Sequence, residues 1–265
     1  MSNSSKIDIV STQKRMLVVL DCFQDHQAIL NIASHLAVKQ KMEISALFVE
    51  DVNLVHLAGL PFAREVDRVS HIERQMDQDR ITSALAKQAR QIEKLLKRLQ
   101  EQSKLQITLD VVRGHFTNEA MSAVEVDLLL LNKRGMRFSA DAQRDAGKAY
   151  SLPLWVLYDG SPAAERALLI AGELAQDQAG LNVVLKVQSQ LEAAALKEQV
   201  QAFFSGAKID LHFYAEADED FPFVLQNIKQ RGCRVMVLGR QNPENTSKTA
   251  LLFAEKANCL VLVVS

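Results

Sequence analysis

The chain has 265 residues, 48% of them apolar and 24% charged, with a formal net charge of −1. That balance belongs to a folded globular protein, and the length suits one large domain or two modest ones. A near-neutral chain has no field to attract nucleic acid or an anionic membrane surface, and no run of 18 apolar residues is present to span a bilayer.

Residues 1–14 are polar and lack the apolar core of a secretory signal, so they are expected to form a flexible tail. MLVVLD (16–21) is a continuous apolar run closed by a polar residue, as expected of a strand buried on both faces. In 25–40, Ile29, Ile32, Leu36 and Ala37 recur at helical spacing. EISALFVED (43–51) predicts a second strand, 62–102 a long charged helix, and ITLDVVRG (107–114) a third strand. NEAMSAVE, VDLLLLN and ADAQRDAGKAY then read as helix, strand and helix, followed by the apolar run LPLWVLY (152–158). Strands alternating with helices imply right-handed crossovers and a parallel sheet covered on both faces.

After Asp159 the order repeats. SPAAERALLIAGELAQDQ, LEAAALKEQVQAFF, DFPFVLQNIKQ and ENTSKTALLFAEKA read as helices, and LNVVLKVQ, IDLHFYAEA, CRVMVLG and CLVLVV as strands. VDLLLLNKRG and RVMVLGRQN occupy equivalent places, and the interval from Gly135 to Pro153 equals that from Asn242 to Leu260, at 18 positions each. Equal spacing around equivalent elements argues for an internal repeat. Nine strands are counted where two full units would supply ten, so 152–158 either closes the first unit or opens the second. Asp-Gly-Ser-Pro at 159–162 favours the second: it makes a sharp turn, with Ser161 as helix N-cap and Pro162 in the first helical position. The expected units are 15–150, lacking a fifth strand, and 151–265.

KRMLVVLD, SALFVEDVNLVHLAGLPFAREV, VVRGHFTNEAMSAVEVDLLLLNKRG and LWVLYDGSPAAERALLIAGELA, with VMVLGRQN and CLVLVV at the end, resemble the universal stress protein family in tandem. The resemblance covers nearly the whole chain from residue 15. It implies an α/β fold of two open parallel-sheet units, each in the flavodoxin-like strand order 3-2-1-4-5, paired about a pseudo-twofold axis. It also implies a nucleotide site past the carboxyl ends of the strands, where a loop Gly-x2-Gly-x9-Gly-Ser/Thr follows the fourth strand. Glycines there let backbone N–H groups turn around phosphate oxygens.

This chain departs from that loop in both repeats. Asn132-Lys133-Arg134-Gly135 keeps only the second glycine and Gly239-Arg240-Gln241-Asn242 only the first, and neither has the third glycine with Ser or Thr after it. The expectation is therefore no ATP and no other cofactor. If any ligand binds, the candidates are Asp159, Gly160, Ser161, Gly239 and Arg240 in the second unit, with Asp21, Gly114 and Gly135 in the first. Lys133, Arg134, Arg137 and Lys248 add positive charge near the fourth strands. For Asp159 and Ser161 the competing role is turn formation and capping. Cys22-Phe23 stands where the second repeat has Gly160-Ser161, which narrows any first-unit pocket.

The three cysteines, Cys22, Cys233 and Cys259, form no CxxC pair and read as small apolar residues of a reduced, cytoplasmic protein. The six histidines show neither HxxxH nor HExxH spacing, so no metal site is expected, and no nucleophile elbow or phosphate-binding P-loop is present. The chain therefore reads as no enzyme.

In 62–102, Val66, Val69, Ile72 and Met76 form one apolar stripe and Leu85, Ile92, Leu96 and Leu99 another, with a slip in phase near 77–79. A single straight helix there would be about 60 Å long. It is either broken at the slip and packed along the sheet, or projects to pair with a protein partner or a second copy. The resulting expectation is a stress-response regulatory or protective scaffold working through protein contacts. The alternative is a nucleotide or small-anion sensor using the second unit's cleft.

Overall fold

The computed structural model describes residues 14–22, 26–66, 71–116, 119, 126–131, 153–175, 180–217, 220–257 and 259–265. Residues 1–13 of the expected tail, the loop around Gly135 with Lys133, Arg134 and Arg137, and most of the two helices expected around 118–150 lie outside them.

The first half contributes β1 (Arg15–Asp21), α1 (His26–Gln40), β2 (Glu43–Asp51), the short α2 (Val52–Ala58), β3 (Arg64–Val66), β4 (Glu73–Gln75), α3 (Gln78–Ser103), β5 (Ile107–Gly114) and β6 (Leu128–Leu131). The second half contributes β7 (Leu154–Tyr158), α4 (Pro162–Ala175), β8 (Leu181–Lys186), α5 (Gln190–Phe203), β9 (Leu211–Glu216), α6 (Pro222–Arg231), β10 (Val235–Gly239), α7 (Pro243–Leu252), a π-helical turn (Phe253–Ala257) and β11 (Leu260–Val264).

Nine strands form one continuous sheet in the order β5-β2-β1-β6-β11-β10-β7-β8-β9. From β5 to β6 this is a 3-2-1-4 arrangement, and from β9 to β11 a 3-2-1-4-5 arrangement. Within each half every pair is parallel, and the halves meet at the antiparallel pair β6–β11, with Leu131 opposite Val261 and Leu128 opposite Val264. Among the described residues the first half has no fifth strand. The run at 152–158 supplies β7, which pairs with β8 and β10 and so lies within the second half.

Strand composition follows depth in the sheet. β6 (LLLL) and β11 (LVLVV) at the seam are buried on both faces, whereas the edge strand β5 alternates exposed and half-buried positions. Large aliphatic side chains fully removed from water stabilise by about 1.5–3 kcal/mol each, so the seam is held chiefly by burial. One face packs under α1, α3, α4 and α5, around Val18, Ile29, Ile92 and Leu168; the other packs under α6, α7 and the π-helical turn, around Trp155, Val224 and Phe253. The inner side of α4 is Ala163, Ala164, Ala167, Ala171 and Ala175, and these small residues let the helix lie close on the strands.

The stretch 62–102 differs from the expected helix. Only 78–103 is helical. Asp77 caps α3 by accepting from the Asp79 N–H at 2.9 Å, at the place where the apolar phase slips. α3 buries Leu85, Ile92 and Leu96 and packs on α1 and β5, so it is the crossover from β2 to β5 and does not project. Upstream, β3 and β4 form a two-stranded antiparallel ribbon with Arg64 opposite Gln75. Three-residue strands are too short to show alternation, which is why Val66 and Ile72 mimic helical spacing.

Candidate functional site

The site to test lies at the carboxyl ends of β7 and β10, where the strand order reverses and ligands of open α/β sheets collect. Asp159 leaves β7 and folds back on its own turn: its Oδ1 accepts from the Ser161 N–H at 3.1 Å. Gly160 has φ +78°, a left-handed conformation that disfavours side chains, and a Cβ there would lie 2.9 Å from Leu196 Cδ2 of α5. The Ser161 Oγ accepts from the Ala164 N–H at 3.1 Å, capping α4. The Asp-Gly-Ser-Pro turn thus uses Asp159 Oδ1 and Ser161 Oγ on itself.

Gly239 ends β10 against the first turn of α4. A Cβ added there would meet the Ala163 carbonyl and lie 2.6 Å from the Ala164 nitrogen. Gly239 is not in the positive-φ region. Its need for glycine is space for the passing helix backbone. The next residue, Arg240, donates its N–H to the Val264 carbonyl at 2.7 Å. Gln241 then reaches across the cleft and donates to Asp159 Oδ2 at 2.7 Å. Both Asp159 oxygens are therefore engaged, one by Ser161 and one by Gln241.

Below the turn, the Tyr158 hydroxyl donates to Gln199 Oε1 of α5 at 3.3 Å. Burial first, then the neighbouring Glu165 and Asp159 carboxylates, push the Tyr158 phenol above its ordinary range.

The first half presents the corresponding corner at Asp21, which is 1% exposed. The Asp21 carbonyl is 2.6 Å from His26 Nε2, and the His26 ring packs edge-on to Phe48 with centroids 6.1 Å apart. Gln88 of α3 donates to the Cys22 carbonyl at 3.0 Å. In each half a glutamine from the second crossover helix, Gln88 or Gln199, thus reaches the end of the first strand. Gly114 closes β5 opposite Asp51 and has no left-handed φ; its Cβ position is filled by the Glu119 side chain, so the glycine supplies room for that side chain. His115 lies beside Asn53, its Nδ1 3.3 Å from the Asn53 amide nitrogen.

The fold brings Asp159, Gly160, Ser161, Gly239 and Arg240 together at one corner. Asp21 and Gly114 lie at the carboxyl ends of β1 and β5 in the other half, separated by β2, and Gly135 lies outside the described residues. Gln88, Gln199 and Gln241 are the participants that sequence reasoning missed. Among the described residues no group of three or more His, Cys, Asp or Glu side chains is placed to hold a metal ion.

A universal stress protein of Archaeoglobus fulgidus superposes on 94% of this chain and 96% of its own, with a TM-score of 0.55 and 13% identity. The fold is that of the universal stress proteins. A functionally unknown protein of Pseudomonas aeruginosa aligns over 96% of this chain and 92% of its own at 13% identity, with a TM-score of 0.49. A universal stress protein of Lactobacillus plantarum covers 43% of this chain and 97% of its own at 18% identity, with a TM-score of 0.31. No family profile matches the chain, and no curated protein sequence matches it. Among the described residues no helix is long and apolar enough to cross a membrane.

Proposed function

We propose that this chain is a cytoplasmic stress-response protein of regulatory or protective kind, a non-catalytic double α/β scaffold that works through protein contacts and holds no nucleotide. The observation that carries the reading is the closure of the second half's cleft by its own atoms. Gly239 packs on α4, and Gln241 hydrogen-bonds the Asp159 carboxylate, which supports a corner engaged by the protein's own groups where a nucleotide would need a backbone cradle and an open carboxylate. In the first half Asp21 is buried beneath the corner that Gln88 and His26 cover.

The contact surface we assign is not the expected helix but the arm that precedes it. Leu57, Leu60, Phe62, Val66 and Ile72 are 40–75% exposed along 57–72. The arm is tied back by Arg64–Glu73 and by Arg80 of α3 on Glu65, each at 3.2 Å. A two-stranded ribbon alone is marginal in water, and exposed apolar side chains on and beside one are a candidate contact surface.

Photo-crosslinking from position 62 in the cells that make the protein tests this, with position 97 on the solvent side of α3 as control. Crosslinks to protein, either another copy or a partner, concentrated at 62 are the expected result. Equal yields from both positions would refute the assignment.

A further inference from the structure

The seam between the halves holds a cavity of about 290 Å³ that no part of the nucleotide corner uses. It lies over the β6–β11 pair, between the end of α1 and the outer side of α4. These two helices are tied there by the Lys39 and Gln40 side chains on Glu173. Beneath it β6 pairs directly with β11, Leu128 opposite Val264. Its wall is apolar: Met42, Leu128 and Val264 are 1–3% exposed, Ile170 is half-buried, and Leu169 stands at the mouth, 49% exposed.

Its polar groups are unevenly engaged. Asp127 Oδ2 accepts from the Arg15 N–H at 2.8 Å, and the Glu173 carboxylate accepts from Gln40. Arg166 donates its Nε to the Ser265 carbonyl at 3.0 Å. Among the described residues neither the Arg166 Nη groups nor the Lys14 ammonium has a further partner. One oxygen of each carboxylate is therefore supplied with a donor, while the two cations retain donors to give. An amphipathic anion fits that imbalance, with its charge on the cations and its hydrocarbon on the wall. The volume is just below the roughly 300–1,000 Å³ of ordinary ligand pockets, and with Asp127 and Glu173 in the same lining the two cations suit a single negative charge rather than a polyphosphate.

We propose that this seam cavity binds a small amphipathic monocarboxylate, its carboxylate on Lys14 and Arg166 and its hydrocarbon chain on Met42, Leu128, Ile170 and Val264. The probe is sodium octanoate, titrated calorimetrically into the full chain, with octylamine and ATP as comparison ligands. The expected result is saturable binding of one octanoate per chain, with amide shifts in NMR centred on Leu169, Ile170 and Val264. Octylamine and ATP should bind at least tenfold more weakly. K14Q and R166Q alter exposed side chains, so each should keep the wild-type Tm while weakening octanoate at least tenfold. The proposal is overturned by an absence of octanoate binding, by equal affinity for octylamine, by shifts centred elsewhere, or by unchanged affinity in the K14Q/R166Q double variant.

Discussion

Gly239→Ala places one methyl group where the end of β10 passes the first turn of α4. The new carbon would sit 2.6 Å from the Ala164 nitrogen and against the Ala163 carbonyl, and both obstacles are backbone atoms. A helix start cannot swing aside like the tip of a long side chain, so strand and helix must separate by several tenths of an ångström. Overpacking of this kind costs about 1–3 kcal/mol. Replacing glycine also restricts the unfolded chain, which returns about 0.4–1 kcal/mol. Gly59→Ala isolates that second effect: Gly59 has φ −80°, and its added Cβ would lie no closer than 3.4 Å to any neighbour. A net loss of about 1–2 kcal/mol lowers Tm by roughly 2–8 °C in a chain of this size. The assay is thermal and urea unfolding of Gly239→Ala and Gly59→Ala, both without added ligand. Gly239→Ala should fall below wild type and Gly59→Ala should match or exceed it. If Gly239→Ala is as stable as Gly59→Ala, Gly239 is not a packing residue, and a phosphate-cradle role for it reopens.

Three other outcomes follow from the same geometry. Asp159→Ala removes the acceptor of both the Ser161 N–H and the Gln241 amide and should cost about 1–2 kcal/mol, with Gln241→Ala costing about 1 kcal/mol, by urea unfolding. Ile92→Ala, at a fully buried position of α3, should cost about 2–5 kcal/mol, whereas Phe62→Ala, 75% exposed on the arm, should leave Tm unchanged and reduce protein contacts. Because the Tyr158 phenol is pushed up in the folded chain, the unfolded chain loses its proton first. Tyr158 therefore contributes stability that is complete below about pH 10 and is lost as pH rises from there through the folded value; Tyr158→Phe should flatten that alkaline decline in urea midpoints.

Much of the fold was legible because burial writes itself into apolar runs. EISALFVED and ITLDVVRG match β2 and β5 residue for residue, since polar residues bound each run. The turn at 159–162 was legible for a related reason: Asp, Gly, Ser and Pro each have a local backbone preference that needs no tertiary information. The ribbon at 64–75 was not, because three-residue strands carry no period and Val66, Ile72 and Met76 happened to fall at helical spacing. At the site, Asp159 and Gly239 were visible as residues, but their neighbours were not. Gln241, Gln199 and Gln88 act through side chains that cross between elements distant in sequence, and an isolated glutamine has no pattern to betray it. Nor does a glycine reveal from sequence whether it makes room for a phosphate or for a helix; only the position of Ala163 and Ala164 separates the two.

The most direct test of the closed-cleft account is thermal unfolding of the wild-type chain with and without millimolar ATP·Mg, with AMP and phosphate as controls. The account predicts the same Tm in every case. A ligand present at about 100 times its Kd stabilises by roughly 2.7 kcal/mol, or about 5–10 °C here. A rise of that size with ATP alone, lost in Arg240→Ala, would contradict the account and make the second half a nucleotide sensor.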